Sequence, residues 1–199
     1  MNQINQNKMR VIKRNGEYEN VSFDKILNRI TGLSDGLDID ETLVAQKVVQ
    51  EIYDGVNTSE LDELSSQIAI SMYSKNIGFK NLAGRIVISN HHKNTLNSFS
   101  EKIGKMYHYK NHSKAKPLIA DYMYELVQKN KEKIDQKIDY TRDYLYDFFG
   151  FKTLEKTYLF KIDDIPFERP QDMLMRVSLS IYRDDIEMAF KNYDLMSEH

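Results

Sequence analysis

Cysteine is absent from this chain of 199 residues, and that absence excludes more chemistry than any other feature of the sequence. Without a thiol, the chain can form no disulfide, no thiolate zinc site, no iron–sulfur cluster and no thiyl radical. Any enzyme mechanism that works through cysteine is therefore beyond this chain acting alone. We expect no cofactor held by cysteine.

Other absences narrow the class of protein. No apolar run approaches the roughly 20 residues that span a bilayer, and the start MNQINQNKMR does not have the pattern of a signal peptide. The formal net charge of −2 argues against a dedicated nucleic-acid binder or a polybasic membrane protein. Neither G-x-x-x-x-G-K-S/T nor G-x-G-x-x-G occurs, so the usual phosphate-binding loops are missing. We expect a soluble cytoplasmic protein that binds neither nucleic acid nor membrane.

The distribution of glycine and proline predicts two domains. Seven of the eight glycines lie at or before Gly104, whereas all three prolines lie beyond it. A chain of this length buries roughly 70% of its unfolded surface, so a hydrophobic core forms without staples. We expect a flexible tail over residues 1–8, a first domain over 9–100, a linker over 101–116 and a second domain over 117–199.

The first domain is predicted to be α+β. Asn15-Gly16 favours a type I′ hairpin turn between strands at about 10–14 and 17–22. Asp62 follows Ser59 at the spacing of a capping box, which predicts a helix start there. Apolar residues recur at helical spacing in four stretches, which begin near Phe23, Leu43, Thr58 and Lys80.

The second domain is predicted to be mainly helical. Helices are expected near 117–129, 141–148, 170–182 and 183–197, with an aromatic segment, FFGFKTLEKTYLFKI, between the second and third. The basic run from Lys102 to Lys116 has the tyrosines of a single-strand nucleic-acid grip, but a solvated linker is favoured. The five histidines lack an accompanying carboxylate signature, so solvated histidines are favoured over a metal site.

Basic residues near the predicted hairpin form the candidate phosphate site. Lys13 and Arg14 lie on its first strand, Lys25 opens the first helix, and Lys93 lies on the fourth helix. Clustered lysine and arginine make charge-assisted hydrogen bonds to a polyphosphate. Asp62 is a poor neighbour for phosphate but a good acceptor for a sugar hydroxyl. An ordinary charged surface is the alternative interpretation.

Two sets of segments resemble a known family. VIKRNGEYENVSFDKI, DGVNTSELDELSSQIA and AGRIVISNHHKNT resemble the ATP-cone, a small domain that senses ATP against dATP in many ribonucleotide reductases. YTRDYLYDFFGFKTLEKTYLFKI and ERPQDMLMRVSLSIYRDDIEMAF resemble the start of the catalytic domain of the class I large subunit, of the eukaryotic and viral type. Together the resemblance covers about residues 9–199.

The resemblance implies a fold and a set of ligands. It implies an ATP-cone, built from a β-hairpin and a four-helix cluster, followed by the helical start of a ten-stranded α/β barrel domain whose barrel is missing. It also implies ATP and dATP as allosteric effectors, with Mg²⁺, that control ribonucleotide reduction. The family's nucleotide contacts fall on Lys13, Arg14, Glu19, Asn20, Val21, Ser22, Phe23, Asp24, Lys25, Thr58, Asp62 and Lys93.

The departure from the family is the missing catalytic machinery. The family reduces ribonucleoside diphosphates with a cysteine radical and a redox cysteine pair, so this chain is not expected to catalyse alone. Residues 117–199 are expected to expose apolar surface where the barrel would pack. The implied partners are the rest of the large subunit as a split chain, a radical-generating small subunit, and further copies in an oligomer. A stand-alone nucleotide-sensing regulator and a truncated inactive remnant remain as alternatives.

Overall fold

The computed structural model describes residues 9–111 and 114–198, and these form two compact units. The first unit contains the described residues up to Asn90 together with 146–149, and the second contains 91–145 and 150–198. Each unit has a hydrophobic core of its own. The predicted tail over residues 1–8 lies outside the described residues.

The predicted hairpin is present, but its turn is of a different type. Strands β1 (Arg10–Ile12) and β2 (Tyr18–Asn20) pair antiparallel. Of the two predicted turn residues, Asn15 and Gly16, only Gly16 has a positive φ, +85°. The N–H of Gly16 donates to the carbonyl of Lys13 at 2.8 Å. A type I turn followed by a left-handed glycine is typical of a longer hairpin loop. The type I′ prediction is therefore wrong, and the loop is longer and the strands shorter than expected.

A third strand completes the sheet of the first unit. Strand β3 (Val56–Asn57) pairs parallel to β1, with Val11 opposite Val56, and gives the strand order β2-β1-β3. The sequence predicts only a two-stranded ribbon, because a strand of two residues carries no periodic signal. This pairing brings the start of the third helix beside the hairpin loop.

The four predicted helices of the first domain are confirmed, although the cap of the third differs from the prediction. Ser22 caps the first helix by accepting from the Lys25 N–H, and that helix ends at Gly32. The capping box at Ser59 and Asp62 is wrong, because Asn57 caps the third helix by accepting from the Glu60 N–H at 2.8 Å. The helices are α1 (Phe23–Thr31), α2 (Glu41–Glu51), α3 (Thr58–Ser71) and α4 (Gly78–Asn94).

The second unit is mainly helical, with two short hairpins among its described residues. Prediction and structure agree most closely for 170–182, where Pro170 begins a helix and fixes its φ at the first position. The predicted helix at 141–148 is instead a 3₁₀ helix, Tyr140–Leu145. The elements are α5 (Phe99–Tyr107), β4 (Lys110–Asn111), β5 (Lys114–Ala115), α6 (Asp121–Lys129), α7 (Lys131–Lys137), α8 (Phe148–Thr157), β6 (Lys161–Ile162), β7 (Ile165–Pro166), α9 (Pro170–Tyr182) and α10 (Ile186–Ser197).

The structure differs from the predicted linker over residues 101–116. Helix α5 occupies its first half, and Phe99, Ile103 and Met106 are buried in the core of the second unit. These apolar residues recur at helical spacing but are separated by polar and charged ones, which conceals the pattern. Lys102 is only 1% exposed, so the interpretation of this run as solvated is wrong at its start.

The prediction of solvated histidines is also wrong in part. His91 is buried, with its ring edge against Phe151 and its Nε2 atom 2.9 Å from the carbonyl oxygen of Glu168. His92 lies 2.6 Å from a carboxylate oxygen of Asp143. His108 is exposed as expected, and His112 lies outside the described residues.

Candidate functional site

The structure places most of the predicted site residues in the first unit, around the hairpin loop. Lys13 and Arg14 directly follow β1, Glu19 and Asn20 lie in β2, and Phe23, Asp24 and Lys25 form the first turn of α1. Lys93 lies in the last turn of α4, among residues of the second unit. Val21 packs on the core, Ser22 caps α1, and Thr58 and Asp62 lie on α3.

Asp62 is the centre of the site. Its side chain is only 9% exposed, and two guanidinium groups contact its carboxylate. Arg29, from α1, donates from Nε at 3.2 Å to one oxygen and from Nη2 at 3.3 Å to the other. Such a two-point contact fixes the plane of the carboxylate as well as its position.

Arg14 joins the hairpin loop to the same carboxylate. Its Nη2 atom lies 3.4 Å from Asp62, and its Nη1 atom lies 3.4 Å from the hydroxyl oxygen of Thr58. The parallel pairing of β1 with β3 is the reason for this approach, because it places the start of α3 beside the loop. The sequence separates Arg14 from Asp62 by 48 positions.

Asn90, from α4, supports this arrangement. Its side-chain oxygen accepts from Arg14 at 2.5 Å and from the hydroxyl of Ser59 at 3.0 Å. Its amide nitrogen donates to the Ser59 carbonyl at 3.1 Å. Three elements therefore converge at one point. We call Arg14, Arg29, Thr58, Asp62 and Asn90 the Asp62 cluster.

Two lysines border the Asp62 cluster along the chain, and they share one counterion. Glu19 forms an ion pair with Lys13 at 2.7 Å and a second ion pair with Lys25. The lysine side chains are 43% and 68% exposed, so both are accessible to a dissolved anion. Lys13 and Lys25 share the carboxylate of Glu19, and Arg14 and Arg29 share that of Asp62, so four basic side chains gather around two ion-paired carboxylates. Such a gathering of basic side chains suits a polyanion.

Sequence reasoning missed three residues of this site: Arg29, Ser89 and Asn90. Arg29 lies one helical turn after Lys25, and no motif distinguishes it from any other exposed basic residue. Ser89 accepts from Arg29 at 2.8 Å, which is visible only once α4 is packed beside α1. These contacts join residues 60 and more positions apart.

The second unit contains a charged cluster of its own. Lys102 and Asp172 form an ion pair in which each side chain is 1% exposed. The Tyr140 hydroxyl and the Arg169 backbone N–H donate to the same carboxylate at 2.6 and 2.7 Å. Burial lowers the pKa of Lys102, an effect that Asp172 partly offsets, while burial and then Asp172 raise the pKa of Tyr140. We call these four residues the Lys102 cluster.

The two units define a class of protein: a small α+β domain with a basic, solvent-accessible site around an acidic residue, followed in the chain by a helical domain. Comparison with known families agrees. Residues 9–94 match the model of the ATP cone domain family, and residues 144–199 match that of the ribonucleotide reductase all-alpha domain family.

Curated proteins similar to this chain include ribonucleoside-diphosphate reductase large subunits. The large subunit of Arabidopsis thaliana is 49% identical over 195 residues, which cover 96% of this chain and 24% of the relative. The large chain of Cryptosporidium parvum is 47% identical over 193 residues, and the large subunit of vaccinia virus (strain Copenhagen) is 47% identical over 195 residues. They are covered to 24% and 25%, so the chain spans about a quarter of the length of these relatives.

Proposed function

We propose that the first unit binds ATP and dATP, and that the chain supplies the effector-binding part of a ribonucleoside-diphosphate reductase. The observation that carries the proposal is the Asp62 cluster. It holds an acidic hydrogen-bond acceptor between two arginines, and the exposed Lys13 and Lys25 lie on the same hairpin and first helix as those arginines. A nucleoside triphosphate has the matching chemistry, since its sugar offers hydroxyl donors and its phosphates offer negative charge.

The residues divide into two roles. Lys13, Arg14 and Lys25 hold the triphosphate, and Lys93 adds a further positive charge. Asp62 accepts a hydrogen bond from a sugar hydroxyl, beside Thr58. The base and sugar lie between the hairpin and the helices, along the run from Glu19 to Lys25. The lysines exchange their ion pairs with Glu19 for contacts with phosphate oxygens, so binding replaces one set of charge pairs with another.

Mg²⁺ fits this site as a companion of the phosphates. Among residues 9–111 and 114–198, no group of three or more acidic or histidine side chains is placed to hold a metal ion. Mg²⁺ commonly uses one or two carboxylates together with substrate phosphates and water. When bound, the ion would neutralise phosphate charge, and Glu19 is the carboxylate that forms ion pairs with both Lys13 and Lys25.

Effector binding controls reduction elsewhere by shifting the populations of different assemblies. The chain has no cysteine, so we propose that it does not catalyse alone and that the rest of a large subunit acts with it as a separate chain. A radical-generating small subunit and further copies of the assembly complete the proposed partners. The described helices include none long and apolar enough to cross a membrane.

Apolar side chains on the second unit support a partner chain. Ile181, at the end of α9, is 61% exposed, and Leu195, on α10, is 80% exposed. Met188, which is also on α10, is 38% exposed. Exposed apolar groups of this size on one helical hairpin are typical of a surface that a partner covers.

Calorimetric titration with ATP and with dATP tests the binding site. We expect the parent chain to bind both nucleotides, Lys13→Ala to lose most of the affinity, and the exposed Lys47→Ala on α2 to bind as the parent does. Lys93→Ala should weaken binding of both nucleotides, more at low salt than at high salt, because exposed charges are screened. Absence of binding by the folded parent would reject the function and favour an inactive remnant.

Co-purification tests the partner. A separate chain that carries the barrel and its cysteines should be retained by this protein, and Leu195→Lys should release it because a charge then enters an apolar contact. A stable monomer that binds nucleotide but retains no such chain would contradict the split subunit. That result would instead favour a stand-alone nucleotide-sensing regulator.

A further inference from the structure

Arg29 makes a two-point contact with the carboxylate of Asp62. Its guanidinium meets both carboxylate oxygens, and its Nη2 atom also donates to the Ser89 hydroxyl at 2.8 Å. One side chain from α1 therefore ties α3 to α4 at the carboxylate. A contact anchored on three atoms restrains rotation of the guanidinium and of the carboxylate together.

Arg14 contacts the same carboxylate in a different way. It comes from the tip of a hairpin loop rather than from a helix, and it reaches Asp62 with one nitrogen at 3.4 Å. It is also a proposed phosphate ligand, so its contacts with the cluster change when a triphosphate binds. Arg29 has no such second role. It is therefore the contact that can keep Asp62 in one orientation in both the free and the bound state.

From this geometry we propose that Arg29 is a positioning residue that sets the discrimination between a ribonucleotide and a 2′-deoxyribonucleotide, through its hold on Asp62. The inference rests on the nucleotide-binding function proposed above. A hydrogen bond to a sugar hydroxyl depends steeply on angle, so a carboxylate that turns loses part of that bond. The hydroxyl that this inference requires is the 2′-hydroxyl, which ATP has and dATP lacks, so a weaker bond to it lowers the affinity for ATP alone and leaves the phosphate contacts in place.

The test compares Arg29→Lys with Arg85→Lys. Arg85 is a second partly buried arginine of the first unit, which donates to the backbone carbonyls of Leu33 and Asp35 instead of to Asp62. Lysine retains the charge but cannot make the two-point contact. Calorimetry would give the Kd of each variant for ATP, dATP and inorganic tripolyphosphate, a probe that has no sugar.

We expect Arg29→Lys to move the ratio of the ATP and dATP Kd values toward 1 by about three- to tenfold, the size of one weakened charge-assisted hydrogen bond. Its Kd for tripolyphosphate should stay within about twofold of the parent value, since the phosphate ligands are unchanged. Arg85→Lys should keep both values. A variant with a merely structural defect would instead lose affinity for all three probes together.

Several outcomes overturn the inference. An unchanged ratio in folded Arg29→Lys does so, and so does an equal loss for all three probes. If Arg29→Lys does not fold, Ser89→Ala removes the other anchor of Arg29 and should shift the ratio in the same direction by a smaller factor; an unchanged ratio there rejects the role. A parent that binds both nucleotides equally rejects the inference alone, whereas a folded parent that binds neither rejects the proposed function as well.

Discussion

Each unit of this protein builds a cluster of basic residues around one aspartate, yet the two clusters differ in their access to water. In the Asp62 cluster, the side chains of Arg14 and Arg29 are 31% and 30% exposed. In the Lys102 cluster, both members of the central ion pair are 1% exposed. An aspartate with basic partners therefore forms a site that an anion can reach in one unit and a closed internal contact in the other.

The difference in access to water follows from how far the donors to each aspartate are themselves buried. Asp172 receives a lysine, a tyrosine hydroxyl and a backbone N–H from within the second unit, and Lys102 also lies 5.0 Å from the ring centre of Tyr140. Asp62 is held by two arginines whose charged ends remain at the surface. Burial makes a charge depend on its partner, whereas a surface charge can change partners at little cost. Accessibility, more than charge, therefore distinguishes the Asp62 cluster from the Lys102 cluster.

Removing one partner of the buried Lys102–Asp172 ion pair tests the difference between the two clusters with the largest expected effect. We expect Lys102→Met to lower the free energy of unfolding of the second unit by about 3–5 kcal/mol, because Asp172 keeps a buried charge without its cation. Lys105→Met is the matched control three positions along α5, where the lysine is exposed and pairs with Glu101; it should change the value by less than about 0.5 kcal/mol. Urea unfolding of both variants gives the answer, and similar losses in the two would contradict the structural role.

The space around one helical glycine in each unit allows the packing of the two units to be compared. A Cβ added at Gly84, on α4, would lie 2.9 Å from backbone atoms of Asp147 and Phe148. We expect Gly84→Ala to destabilise the first unit by about 1–3 kcal/mol, because backbone cannot move aside as a side chain can. At Gly104, on α5, an added Cβ would meet only the side-chain nitrogen of Gln128, at 3.9 Å, so Gly104→Ala should stabilise by about 0.5–1 kcal/mol. Thermal unfolding measures both, and shifts of the same sign would show that the difference in packing is not as described.

Neutralising Asp62 should change the ratio of the ATP and dATP affinities more than it changes the free energy of unfolding. We expect Asp62→Asn to bring the Kd values for ATP and dATP closer by about tenfold, because a carboxylate acceptor becomes a mixed donor and acceptor. Its free energy of unfolding should fall by no more than about 1 kcal/mol, since the arginines that it leaves can be hydrated. Calorimetry and urea unfolding of the same samples measure the two effects. Equal discrimination by variant and parent would remove Asp62 from the site.

The Lys102 cluster should make the stability of the second unit depend on pH in alkaline solution. Burial, followed by the charge of Asp172, raises the pKa of Tyr140 above its ordinary value of 10.0. Above about pH 10 the unfolded chain releases this proton while the folded chain keeps it, so stability falls as the pH rises, by up to about 1.4 kcal/mol per pH unit for one proton. Tyr140→Phe should remove that part of the slope. Unfolding measured from pH 8 to pH 11 tests this, and parallel slopes for variant and parent would count against it.

Local patterns account for the parts of the fold that could be predicted. Asn15-Gly16 marks the hairpin because glycine accepts a left-handed conformation, and the four helices of the first unit follow from the spacing of their apolar residues. Asp62 was singled out by its residue type and by family resemblance. In each case the signal lies within a few positions along the chain, where short-range geometry governs.

Contacts between distant positions account for the rest. The short strand at Val56, the approach of Arg29 to Asp62 and the burial of Lys102 in α5 leave no periodic trace, because each depends on a partner far away in the chain. Pairing of β3 with β1 converts the position of Arg14 on a loop into a contact with α3.

By itself, then, the sequence determined the family resemblance, the lack of cysteine and the chain positions of the hairpin and most helices, since these depend on residue identity and local spacing. Only the tertiary structure decided which charges are open to solvent and which are enclosed. The residue type does not reveal whether a lysine lies at the surface, as Lys13 does, or beside a buried carboxylate, as Lys102 does. Packing sets its access to water, and that access determines whether its charge can bind a ligand or serves to hold the fold.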